Sequence, residues 1–186
     1  MGRHANRIIS GSLSASGINQ IIDGLRKYSM GLKDATELFV RRLSEEGYDT
    51  AQIYISEASP TRQDDGTADY DKPVGTLTYK TDSAGFITSM RLIFSGQQVL
   101  FVEFGSGFYF NTAENPWSSE FGMGVGTFPH QTHANDPQGW SYFGNDDTWH
   151  HTHGIKATMP MYHASQAVRH KDTVLRIAKE VFGSVI

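Results

Sequence analysis

Imidazole is concentrated in one part of this 186-residue chain: Trp149-His150-His151-Thr152-His153-Gly154 follows shortly after His130-Gln131-Thr132-His133. A His-x-His or His-x-x-His spacing can bring two rings to one ion, and imidazole is the commonest metal-coordinating side chain. His130, His133, His151 and His153 therefore form a candidate ligand set, with Asp136, Asp146 or Asp147 to complete it, and a metal-dependent hydrolase is the alternative reading of the chain. Against it, no His-Glu-x-x-His occurs on a helical pattern. The glycine and asparagine around these histidines also supply no rigid partners to orient the rings. We expect loop histidines that act as polar, hydrogen-bonding surface residues.

Other chemistry is less well provided for. With no cysteine, the chain has no thiol nucleophile, disulfide framework or cysteine-ligated metal. No Gly-x-Ser-x-Gly is present, and Gly105-Ser106-Gly107 lacks the strand-to-helix elbow that exposes a nucleophilic serine. Gly122, Gly124 and Gly126 superficially suggest a phosphate loop, without its lysine or a following helix. Glu103 lies inside the apolar run Val99 to Phe104 and could be a general base, but a carboxylate that is paired or caps the next loop accounts for it more simply. We expect no catalytic residue, metal or cofactor.

A formal net charge of −4 argues against retention of nucleic acid by phosphate neutralisation, which requires a basic stripe. Arg41-Arg42 and Arg169-His170-Lys171 fall in helical patterns and read as solvated faces. The opening residues lack a signal-peptide core, Asn6 stands where a myristoylation signal has Ser or Thr, and no apolar run spans a bilayer. A soluble protein with no membrane partner is expected.

Ile18, Ile21, Ile22, Leu25 and Tyr28, then Leu32, Ala35, Phe39 and Leu43, recur at helical spacing as far as Gly47, a plausible stop. The pattern predicts two helices, or one interrupted near Gly31. Ile53 and Ile55 suggest a short strand, and residues 56–73 a flexible loop. Val74 to Asp82, a turn at Ser83 to Gly85 and the run from Phe86 to Phe94 form the clearest β-hairpin. Residues 99–104 fit a buried strand or the last turns of a helix equally well. Residues 105–158 hold many glycines and aromatics without sustained period, and so predict a long loop that interacts with something. Pro160 opens a closing helix with a stripe through Met161, Ala164, Val168, Leu175, Ala178 and Phe182. The expected fold is α+β in a single domain over residues 1–186: a small antiparallel sheet built on the hairpin, packed against N- and C-terminal helices, with the Gly/aromatic/His-rich loop projecting.

Phe101-Val-Glu-Phe-Gly-Ser-Gly107, Gly139-Trp-x-Tyr142, Thr152-His-Gly154 and Ala157-x-x-Pro-Met-Tyr-x-Ala164, taken in order, resemble the tail-completion family of long-tailed bacteriophages. These are neck proteins at the junction of head connector and tail tube. In that family an N-terminal helical region and a hairpin precede a [V/I]-E-[F/Y]-G-[T/S]-G signature. A Gly-rich aromatic loop then ends near T-x-G, and a last helix is entered through a proline. Order and rough spacing match from Ile18 to Ile186.

The resemblance implies that Glu103, Gly105 and Gly107 occupy the signature turn. It places Trp140 and Tyr142 in the aromatic loop, Thr152 and Gly154 at its end, and Pro160 and Met161 at the start of the last helix. Together these residues are the candidate interface. The loop at 56–73 and the doubled histidines have no counterpart in the family pattern. The implied function is non-enzymatic: a virion neck protein, assembled in the host cytoplasm into a homo-oligomeric ring that joins head connector to tail. Its partners are further copies of itself and the head-connector and tail-tube proteins, and DNA passes through only as cargo. A negatively charged chain suits such a conduit, because clustered phosphate contacts would retain the DNA. A carbohydrate- or peptide-binding module, with Trp117, Trp140 and Trp149 as stacking platforms, is a third reading.

Overall fold

The computed structural model describes residues 14–58, 73–96, 98–107, 115–121, 136–143 and 147–183. Among these residues, four helices and two separate two-stranded antiparallel sheets make up a mixed α+β fold: α1 (Ala15–Glu57), β1 (Val74–Thr81), β2 (Ile87–Ser95), α2 (Val99–Phe104), β3 (Trp140–Phe143), β4 (Trp149–Thr152), α3 (Pro160–Arg169) and α4 (Lys171–Phe182). No helix among the described residues is long and apolar enough to cross a membrane. The elements gather into two compact units. One comprises the chain to Glu45, Thr78–Arg91 and Val168 onward, and the other Glu46–Leu77 and Leu92–Ala167.

α1 is a single helix of 43 residues, so Gly31 does not interrupt it and Gly47 does not end it. Ser14 begins it, its hydroxyl accepting the Gly17 N–H at 3.2 Å as an N-cap does. The expected strand at Ile53 and Ile55 is also helix, as are the first two residues, Ser56 and Glu57, of the loop expected at 56–73. Ala51, Ile55 and Ala58 are buried at i, i+4 and i+7, whereas Ile53 points to solvent. That is the 3.6-residue period, and two isoleucines at i, i+2 were too short a sample to reveal it. Residues 59–72, the rest of the expected loop, lie outside the described residues.

In the first unit, Ala35, Phe39 and Leu43 of α1 meet Ile177, Val181 and Phe182 of α4. Phe39 and Phe182 tilt together with centroids 5.7 Å apart. The hairpin turn is set by Asp82, whose Oδ1 accepts the Ala84 and Phe86 N–H groups at 2.9 and 3.0 Å, with Gly85 at φ 87°. Glu37 fastens this end of the hairpin to α1 by accepting the Ile87 N–H at 3.1 Å, and Lys33 lies over the Phe86 ring.

The second unit holds the expectations that needed most revision. Of the two alternatives left open for residues 99–104, the structure takes the helix, with Val102, Glu103 and Phe104 all buried. The expected long loop contains regular structure: a 3-10 turn at Ser118–Phe121 and the hairpin β3–β4. Its register pairs Trp140 with Thr152, Ser141 with His151, Tyr142 with His150 and Phe143 with Trp149. Four-residue strands of Trp, Tyr, Phe, His and Thr do alternate between faces, but they give too few repeats to stand out among glycines. The expected closing helix, whose residues from Val168 onward belong to the first unit, is two helices, since His170 adopts an extended ψ of 125° between α3 and α4.

Candidate functional site

The described residues of the four motifs carried by Phe101–Gly107, Gly139–Tyr142, Thr152–Gly154 and Ala157–Ala164 fall in the second unit, and they touch. Glu103 is 7% exposed. Its Oε2 accepts the Met161 N–H at 2.8 Å, and its Oε1 accepts the Tyr162 N–H at 3.0 Å and the Asn115 Nδ2–H at 2.8 Å. The first turn of a helix has N–H groups without intrahelical acceptors. Pro160, buried at the start of α3, contributes none, and the Glu103 carboxylate takes the next two. Negative charge is favourable at that end of a helix. The side chain thus caps, as the sequence suggested, but it caps α3, 58 residues away, instead of the next loop.

Burial is the largest influence on this carboxyl and pushes its pKa above the ordinary glutamate value; the three donors pull in the opposite direction. Asn115, which the sequence did not mark, bridges further, since its Oδ1 accepts the Trp117 N–H at 3.0 Å. The Asn115-Pro116 pair is a turn signal that would have placed a bend here, though not its partner.

Beyond α2 the chain turns back on itself through glycines. Gly105 ends the helix at φ 74°. The next residue, Ser106, is buried; its N–H donates to the Ile155 carbonyl at 2.8 Å, and its Oγ accepts the Ile155 N–H at 2.9 Å. Its hydroxyl therefore fixes the segment after Thr152-His-Gly154 against the signature turn. Gly107, at φ 59°, lies so close under the Trp140 ring that a Cβ there would stand 2.4 Å from it; at Gly154, φ 107°, a Cβ would stand 2.0 Å from the Ser106 carbonyl oxygen. Thr158 and Met159 N–H groups both reach the Val102 carbonyl. Thr152 is buried and accepts the Gly154 N–H through Oγ1 at 3.0 Å. Signature turn, aromatic strand, T-x-G segment and helix start form one tightly fitted block.

The histidines divide by strand alternation. His150 is buried, contrary to the surface role expected of it. Its Nε2 lies 2.9 Å from the Thr148 hydroxyl, and its ring 5.6 Å from that of Tyr142. His151 and His153 share the other face, with rings edge to face at 5.2 Å. Among the described residues no group of three potential ligands gathers; His130, His133 and Asp146 lie outside them. Asp136 builds the turn that leads into β3, accepting the Gln138 N–H at 2.8 Å, and Asp147 has φ 61° in the connection between β3 and β4. His163 stacks on Tyr54 at 3.8 Å; burial lowers its pKa, with Glu57 acting in the other direction.

At the outer end of β3–β4, Phe143 and Trp149 face each other across the ladder, their rings edge to face at 5.6 Å. They are 56% and 72% exposed. A large aromatic pair held by backbone pairing yet left in water is the kind of surface that anchors protein interfaces.

No family model, no curated protein and no solved structure matches this chain.

Proposed function

We propose that this chain is a structural neck protein of a long-tailed bacteriophage, which joins the head connector to the tail as part of a homo-oligomeric ring and performs no chemistry of its own. One observation carries the reading. The motif residues interlock through Glu103, Ser106 and Gly107 and so hold up a hairpin whose end displays Phe143 and Trp149.

The polar side chains that a catalytic reading would use are engaged in building this block. Glu103 accepts from the start of α3, Ser106 from Ile155. What the block offers to a partner is aromatic area with little conformational freedom to lose, as a joining protein requires. The ring, the connector and tail partners, and the virion location come with the resemblance to tail-completion proteins.

The test is genetic. The reading frame should lie between capsid and tail-tube genes, and its disruption should leave filled heads and finished tails unjoined in the lysate. Residence in a metabolic operon, or intact virions after disruption, would overturn the reading. So would stoichiometric zinc, iron or manganese in the purified protein that is lost in the His151→Ala, His153→Ala double variant.

A further inference from the structure

The apolar stripe of α1 has two fates. From Ile18 through Ile21, Leu25, Tyr28, Leu32 and Ala35 to Phe39, the residues alternate steps of three and four without a break. That heptad rhythm selects a helix as the packing partner. Within its own unit, α4 covers this seam from Ala35 onward. Twelve residues of α4 span only about 18 Å. In the earlier part of the seam Ile18, Leu25, Tyr28 and Leu32 are all more than two-fifths exposed, while Ile21 is half-buried.

We propose that this open half of α1 packs against the same segment of a second copy of the chain. The charge pattern favours a like partner. Between Gly17 and Leu32 the charged residues are Asp23, Arg26 and Lys27, and none stands at the seam positions or directly beside them. Asp23 and Arg26 pair with each other on the outer face at 3.4 Å. An uncharged band between charged flanks is complementary to itself, whereas a charged partner surface would be desolvated against it without compensation.

Gly17, Gly24 and Gly31 recur at every seventh residue along one edge of the band, with Gly17 buried and Gly24 and Gly31 partly exposed. Glycine inside a helix is destabilising relative to alanine, and a row of it lets a second helix approach closely. About 22 Å of paired helix is a small contact, no larger than the ~1,000 Å² floor for specific interfaces. The association is therefore weak in dilute solution and strengthens where copies are held together. This inference rests on α1 alone and not on the proposed neck function.

Because the chain has no cysteine, single-cysteine variants of the full chain test it cleanly. Leu25→Cys, at the middle of the band, should form a disulfide-linked dimer under mild oxidation severalfold more than Asp23→Cys on the outer face. Ile18→Cys and Leu32→Cys should cross-link comparably only if the two helices run parallel. Sedimentation equilibrium of the unmodified chain should show concentration-dependent dimers. Leu25→Glu should weaken them about tenfold or more while keeping the helical circular dichroism. Equal cross-linking at positions 25 and 23, or a wild-type chain that stays monomeric to roughly millimolar concentration, would overturn the proposal. Defects in head-to-tail joining with a normal dimer bear on the neck reading alone.

Discussion

Glu103 is the residue on which the second unit turns, because three donors from two distant segments converge on its two oxygens. Glu103→Gln keeps the shape but places an amide N–H against the Met161 N–H. It should cost about 1–3 kcal/mol of stability, the usual penalty for an unsatisfied buried donor, measurable by urea denaturation. The same pair of proteins gives a pH test. Burial raises the folded-state pKa of Glu103 above the ordinary glutamate value. Its contribution is then fully present below that ordinary value and lost as pH rises through the raised one. The stability of wild type relative to Glu103→Gln should therefore fall with rising pH across that window. A difference that grew with pH would show that the hydrogen bonds outweigh the burial.

Gly107→Ala should be more damaging, about 2–4 kcal/mol, since it combines a left-handed backbone with a clash against the Trp140 ring. Thermal unfolding would check this. The importance of these two residues was legible in Phe101–Gly107 as a motif. Their physical reason was not, because a cap supplied across 58 positions and a ring laid over a glycine leave no periodic trace in the chain.

At the scale of elements, period decided what could be read. The hairpin β1–β2 was legible because its strands are long and Asp82 to Gly85 has turn chemistry. The helical stripe of α1 was equally plain, but its length was not. Gly31 and Gly47 are weak helix formers that a 43-residue helix absorbs once its apolar face is packed, as Ala35, Ala51 and Ile55 are. β3 and β4 escaped because four residues each carry two repeats at most. The packing of α1 on α4 makes its own prediction. Phe39→Ala removes the ring that meets Phe182 and should lower stability by about 2–4 kcal/mol. It should do so without altering any surface of the β3–β4 hairpin. Calorimetry reads the first, and retention of the contact proposed for Trp149 reads the second.

At the scale of the whole molecule, the two proposals use different exposed apolar surfaces among the described residues: the first half of the α1 seam and the aromatic end of β3–β4. A protein that works by being built into a larger assembly needs both a contact with its own kind and a contact with something else. Phe143→Ser and Trp149→Ser lie in exposed positions and each removes one cross-strand ring pair, so each should cost no more than about 1 kcal/mol of stability while removing the proposed aromatic anchor. For the proposed neck function, the most direct measurement is electron microscopy of lysates in which this gene has been deleted, complemented with the wild-type chain or with the Phe143→Ser, Trp149→Ser double variant. The wild type should restore complete virions, and the folded double variant should leave filled heads and free tails side by side. Complete virions without any complementing chain would contradict the account.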